Sequence, residues 1–165
     1  MTTNLEILNS KIYSSLEDLN FGRRLTQWRL TNNKFVFTNG CFDILHRGHV
    51  EYLSKAAELG NKMIIGLNTD SSIKRLKGEK RPINDWLSRA IVLASLTWVD
   101  AVVGFDDDTP IKLIEFVKPH YLVKGGDYIA QNVVGYNFVK QNGGDTIIIP
   151  FVEGYSTTNI INKSK

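Results

Sequence analysis

The chain has 165 residues and a net charge of +3, with hydrophobic residues at 42% and charged residues at 22%. Those proportions suit a folded domain with a real core and exclude a disordered, collagenous or low-complexity chain. So mild a charge gives no electrostatic case for a nucleic-acid or membrane partner, but it suits an anionic small molecule.

In chain order, "MTTNLEILNSKIYSS" lacks the basic start and apolar core of a secretory signal. No apolar stretch approaches the length of a membrane span. Leu5, Leu8, Ile12, Leu16, Leu19, Leu25 and Trp28 recur at loosely helical spacing. They predict one or two short helices over residues 5–30, broken at "NFG". Residues 1–33 are therefore read as a helical extension packed on the domain or on a partner subunit, and 34–165 as the main domain.

From residue 35 the period changes. "FVFTNG" is an aromatic and β-branched run ending in glycine, as in a buried parallel strand. "HVEYLSKAAELG" predicts a helix closed by Gly60, and "KMIIGLN" a second strand. "SSIKRLKGEKR" reads as a basic loop, and "DWLSRAIVLASL" as a helix. "VDAVVGF" is a strand, and "TPIKLIEFVK" a helix with Thr109 as cap and Pro110 in its first turn. "HYLVKG" and "DTIIIPF" are strands, and "STTNIINK" closes the chain as a helix. Strand and helix alternating at these lengths predict an α/β fold, a doubly wound parallel sheet of five strands with helices on both faces.

Ligands of such sheets sit beyond the carboxyl ends of the strands, where strand order reverses. "TNGCFDILHRGH" falls there, between the first main strand and the helix after it. Backbone N–H groups and the positive end of a helix dipole meet an anion at such a place. Gly40 permits close backbone approach, and Gly48 leaves the helix start uncovered. His46 and His49, three residues apart, share one face of the first turn and offer hydrogen-bond donors to phosphate oxygens. Cys41, His46 and His49 also invite a metal reading. A structural zinc site wants four ligands at paired spacings, though, and there is no second cluster. One cysteine in 165 residues excludes an internal disulfide and fits a reducing compartment, so the expected location is the cytoplasm.

"GCFDILHRGH" resembles the GxFDxxHxGH signature of the cytidylyltransferase-like nucleotidyltransferases, and "EGYSTTNII" resembles that family's second signature. Within the family, "FTNGCFDILHRGHVEYL", "LNTDSSIKRLKGEKRP", "VKGGDY" and "GYSTTNII" are similar, in the same order, to the adenylyltransferase domain of bacterial heptose-phosphate enzymes. The match spans roughly residues 34–163. It implies a Rossmann-like fold and transfer of AMP from ATP to a sugar 1-phosphate such as D-glycero-D-manno-heptose 1-phosphate, with release of pyrophosphate. The alternatives are a glycerol-3-phosphate or ethanolamine-phosphate cytidylyltransferase, and a non-catalytic nucleotide-binding module.

The resemblance also implies roles. His46 and His49 hold the triphosphate and stabilise the transition state, with Lys77 as a further catalytic candidate. Thr38, Asn39, Gly40, Phe42 and Gly48 line the nucleotide pocket, and Lys74, Arg75 and Arg89 add cations. Ser156, Thr157 and Thr158 cap the late helix and face phosphate. Asp43, Lys124, Gly125, Gly126 and Asp127 are placed on the acceptor side. Magnesium is expected on the phosphates and water, with no protein metal site. "DDD" at 106–108 suits the start of the following helix, and Arg89 has the plainer reading of a surface arginine. A homodimer is the expected assembly.

Overall fold

The computed structural model describes residues 2–150 together with Thr157, Ile160 and Ile161. Six strands form one parallel sheet: β1 (Ile12–Tyr13), β2 (Phe35–Gly40), β3 (Lys62–Asn68), β4 (Ala101–Phe105), β5 (Tyr121–Gly125) and β6 (Asp145–Ile149). Their order across the sheet is β1-β4-β3-β2-β5-β6. From β2 the chain steps through β3 to β4 in one direction, then returns to place β5 and β6 on the other side of β2. The reversal therefore lies between β2 and β5.

The period-2 alternation of side chains divides the core between the two faces. Phe35, Phe37, Ile64, Ala101, Val103 and Leu122 point to one face, where they meet Phe21, Leu25 and Trp28 of α2 (Leu19–Leu30) and Leu113, Ile114 and Val117 of α6 (Ile111–Val117). Val36, Met63, Ile65, Val102 and Val123 point to the other. There they meet Tyr52, Leu53 and Ala56 of α3 (Arg47–Ala57) and Ala90, Leu93 and Ala94 of α5 (Trp86–Ala94). Both faces are covered, so the strands read as unbroken apolar runs.

The sheet has one strand more than expected, and it comes from the N-terminal segment. After α1 (Asn4–Asn9), Ile12 and Tyr13 pair in parallel with Val102 and Val103 at the edge of the sheet. A two-residue strand leaves too short a pattern to read. "NFG" is not a break either, because α2 runs through Asn20, Phe21 and Gly22, capped by Asp18, which accepts from Asn20 N at 2.9 Å. Complete burial of Phe21 outweighs the modest helix cost of one glycine.

The "basic loop" begins as a helix, α4 (Asp70–Lys77), whose cap Thr69 accepts from Ser72 N at 3.2 Å. Only Ser72 and Ile73 of this helix are buried, too few to give a legible apolar face. At α6 the cap is Pro110 itself, which makes no side-chain cap bond, so Thr109 does not cap this helix. The Pro110 carbonyl takes the first intrahelical bond, from Ile114 N at 2.9 Å. Helix α7 (Tyr136–Gln141) leads into β6, and Thr157, Ile160 and Ile161 are helical. No described helix is long and apolar enough to cross a membrane.

Candidate active site

The carboxyl ends of β2 and β5 flank the reversal of strand order and open into a cleft of about 390 Å³. Its walls include Asn39, Gly40 and Phe42 after β2, His49 and Tyr52 on α3, Lys77 at the end of α4, and Lys124 and Gly125 on β5. Beyond β2 the chain must turn sharply to start α3. Phe42 takes a left-handed conformation, φ 43°, to make that turn, a cost that non-glycine residues pay mainly at functional sites. A Cβ on Gly40 would lie 3.0 Å from the Phe42 ring, so the glycine lets that ring pack down.

His46 is the N-cap of α3 with an extended backbone, and its carbonyl accepts from His49 N at 2.9 Å. The two imidazoles stack with centroids 3.8 Å apart and planes 21° from parallel. The edge of Phe42 meets His49 with centroids at 5.3 Å. Gly48 is buried in the first turn between them. Burial, the neighbouring His46 and the Lys77 ammonium push His49 down to about 4, and burial also lowers His46. Both rings are therefore neutral at pH 7. Neutral imidazoles at the positive end of a helix act as hydrogen-bond donors to phosphate without a permanent charge of their own.

Lys124 completes the cleft from β5. Its Nζ donates to Asn39 Oδ1 at 2.7 Å and to Asn39 O at 3.2 Å. Burial brings its pKa down to about 8. Lys77 faces the same space from the end of α4, and its field contributes to the low pKa of His49.

Several expected ligands are occupied with holding the site together. Thr38 is fully buried, its hydroxyl bonded to the Tyr52 phenol, which in turn donates to Val123 O at 3.1 Å. The Asp43 carboxylate accepts from Arg81 Nε at 2.5 Å, Ile83 N at 2.8 Å and Asn84 N at 2.9 Å. Burial opposes its ionisation, but these donors outweigh burial and hold the carboxyl below its usual range. Arg89 is no surface arginine, being 2% exposed. It donates to Asn84 O at 3.0 Å, Cys41 O at 2.7 Å, Asn68 O at 2.9 Å and Asp70 Oδ1 at 2.6 Å. One guanidinium thus ties the histidine turn to the end of β3, the start of α4 and the start of α5.

Other candidates lie elsewhere. Arg75 pairs with Asp106 at 3.2 Å and Asp108 at 3.3 Å and lines a separate hollow with Ser15, Leu16 and Glu17. Asp106 also accepts from the hydroxyls of Thr69 and Ser71, and Asp107 pairs with Lys112 at 2.7 Å, so the acidic run is structural. Lys74 and Asp127 are exposed and off the cleft wall. Gly126, with φ 119°, donates to Ile149 O at 2.9 Å and turns the chain out of β5. Thr157 lines the cleft and reaches Ile44 O at 3.5 Å, while Ser156 and Thr158 lie outside the described residues. Tyr52, Leu76, Arg81 and Tyr128 line the cleft and were missed by sequence reasoning. For Tyr52 the only signal is its place one turn after His49, on the face that carries Leu53 and Ala56 into the core.

Stacked histidines at a helix start, at the strand-order reversal of a parallel sheet, define a nucleotide-binding α/β domain of the HxGH type. The model of a family described as cytidylyltransferase-like matches residues 37–163, and the chain belongs to that family. Over 130 residues it is 57% identical to a "Bifunctional protein HldE" of Geobacter metallireducens, covering 79% of this chain and 26% of that protein. Over 136 residues it is 56% identical to a protein of the same name from Helicobacter pylori, covering 82% of this chain and 29% of the other. The chain thus spans less than a third of the length of these relatives. A solved structure, the lipopolysaccharide core biosynthesis protein of Thermoplasma volcanium, is 27% identical with a TM-score of 0.60, covering 75% of this chain and 99% of that one.

Proposed function

We propose that this chain is a nucleotidyltransferase that moves AMP from ATP to a sugar 1-phosphate, D-glycero-D-manno-heptose 1-phosphate, forming ADP-heptose and pyrophosphate. The stacked His46 and His49 at the start of α3, beside Lys77 and Lys124, carry the reading. An acceptor phosphate oxygen attacks the α-phosphorus, the bond from that phosphorus to the bridging oxygen breaks, and pyrophosphate leaves with the electron pair. A phosphate monoester is largely ionised at pH 7, so no base is needed to remove a proton. Catalysis then rests on positioning and on stabilising charge that spreads over the phosphoryl oxygens. The imidazole N–H groups and Lys77 supply that stabilisation.

The choice of heptose rests on the segments shared with heptose-phosphate adenylyltransferases, on relatives named HldE and on likeness to a lipopolysaccharide core biosynthesis protein. Among the described residues no group of three His, Cys, Asp or Glu could hold a metal, and Asp43 is committed to Arg81 and the loop N–H groups. Magnesium would then enter on the triphosphate, held by phosphate and water oxygens. A cytoplasmic homodimer is part of the same proposal.

The test is pyrophosphate release with each of four nucleoside triphosphates against heptose 1-phosphate and glycerol 3-phosphate. Release with ATP and the heptose is the expected result. Turnover of CTP with glycerol phosphate would replace it with a cytidylyltransferase, and binding of ATP without release for either acceptor would sink the transferase reading.

A further inference from the structure

Helix α2 is apolar on two opposite sides. Phe21, Leu25 and Trp28 are buried against the sheet. Leu19 and Leu30, the first and last residues of the helix, lie on the far side and are 76% and 83% exposed. Eleven residues are close to three helical turns, so these leucines share one stripe and stand about 16 Å apart along it. Gly22 and Thr26 lie between them and keep its middle low. Phe116 of α6 sits beside Gly22 and is 37% exposed. With Leu16 these residues line an open groove of about 760 Å³ that runs the length of the helix.

An exposed apolar groove rimmed by polar residues marks an interaction surface. The order of residues on this one matches its own reverse. At 3.6 residues per turn, Asp18 and Arg29 fall on one edge of the stripe and Arg23 and Gln27 on the other. Two copies of α2, placed antiparallel about a two-fold axis at the helix midpoint, bring each edge against its own copy. Leu19 then packs on the second copy's Leu30. Asp18 meets the second copy's Arg29, Arg23 meets its Gln27, and symmetry makes every contact twice. Low residues at the crossing let the two axes come close. The polar groups have capacity to spare. Asp18 caps Asn20 N through Oδ1, and Arg29 uses Nη2 alone on the carbonyls of Phe116 and Val117.

We propose that this groove is a dimer interface whose occupant is a second copy of this chain, with the two α2 helices antiparallel across a two-fold axis. The inference rests on the homodimer named with the proposed function, gives it a surface and a register, and is independent of the transferase chemistry. A partner of different sequence would not need a face that matches its own reverse. Helix α2 covers the side of the sheet opposite α3, so pairing there leaves both histidine turns uncovered.

Analytical ultracentrifugation over a concentration series tests the surface. The wild type should sediment at twice the 18.7 kDa of one chain. Leu30→Gln keeps helix propensity and touches a residue already in water, so circular dichroism should not change. It should raise the dimer Kd roughly 100-fold, because a two-fold contact loses the leucine twice. Cysteine pairs test the register, with oxygen and a copper catalyst as oxidant. The double variant Leu19→Cys, Leu30→Cys should form a covalent dimer, as should a mixture of the two single variants. Either single variant alone should not, since its thiols stand about 16 Å apart across the axis. The wild type, whose one cysteine is Cys41, is the control. A monomeric wild type overturns the proposal and assigns the groove to a different protein. A dimer that survives Leu30→Gln, or one in which Leu19→Cys alone cross-links, overturns this surface and register. A monomer that releases pyrophosphate defeats the interface and leaves the transferase reading standing, while a dimer of this register that releases none does the reverse.

Discussion

His49 shows how much one side chain owes to its surroundings. Its ring lies between Phe42 and His46 at the start of a helix, and burial there removes its charge. In the proposed mechanism the ring is a fixed donor whose strength appears only when negative charge grows in front of it. His49→Ala should lower kcat by roughly 100- to 1000-fold with an unchanged circular dichroism spectrum. Near-normal turnover would remove it from the mechanism. The same burial makes stability depend on pH. Between the ordinary histidine value of 6.5 and about 4, an unfolded chain binds a proton at this position that the folded chain refuses. Stability should therefore fall as pH drops through that window, with His46 and His120, also lowered by burial, acting in the same direction. Thermal midpoints measured from pH 7 to pH 4 check the trend, and His49→Gln should flatten it.

At the scale of elements, α2 and α4 show what periodicity conceals. Gly22 sits inside α2 with room to spare, since a Cβ there would find only the Phe116 ring, at 3.9 Å. Gly22→Ala should raise stability by about 0.5–1 kcal/mol, read from chemical denaturation midpoints. A loss would mean that the helix is strained at that point. Helix α3 was legible because Leu53, Ala56 and Ala57 mark a face, although it ends at Ala57 with Glu58 as its C-cap and not at Gly60 as expected. Helix α4 was not, because its exposed basic residues look the same whether coiled or helical. Its consequence is functional: one turn of helix sends Lys77 into the cleft and Arg75 away from it, toward Asp106 and Asp108. Loop geometry would not have separated neighbours so cleanly.

For the whole molecule, the N-terminal segment is part of the structure that supports the site. Strand β1 closes the β4 edge, and Phe21, Leu25 and Trp28 cover the face of the sheet opposite α3. Phe35 stacks edge-on against Trp28 with ring centroids 6.2 Å apart. A fragment of residues 34–165 would expose Phe35 and Phe37, now fully buried, to water. It should aggregate or melt without a cooperative transition, whereas the full chain unfolds in one step. A soluble fragment with a sharp thermal transition would make the extension dispensable.

Sequence by itself determined the five main strands of the sheet and pointed to the turn after β2, where the cleft lies. Buried parallel strands need continuous apolar runs, and a glycine turn followed by two histidines at helical spacing has few other uses at a strand's end. What it could not assign was which polar residues face the ligand and which face the protein. Thr38, Asp43 and Arg89 look like ligand-binding residues along the chain. Folding commits them to Tyr52, to the Arg81–Asn84 loop, and to four oxygens from separate segments. Their partners lie 14 to 48 positions away for Thr38, Asp43 and the Arg89–Cys41 bond, beyond the reach of any local pattern. Only the tertiary structure settles the allocation, because a buried polar group is claimed by whichever donor or acceptor the fold brings to it. His49, with His46 stacked against it, and Lys77 and Lys124 are left at the cleft.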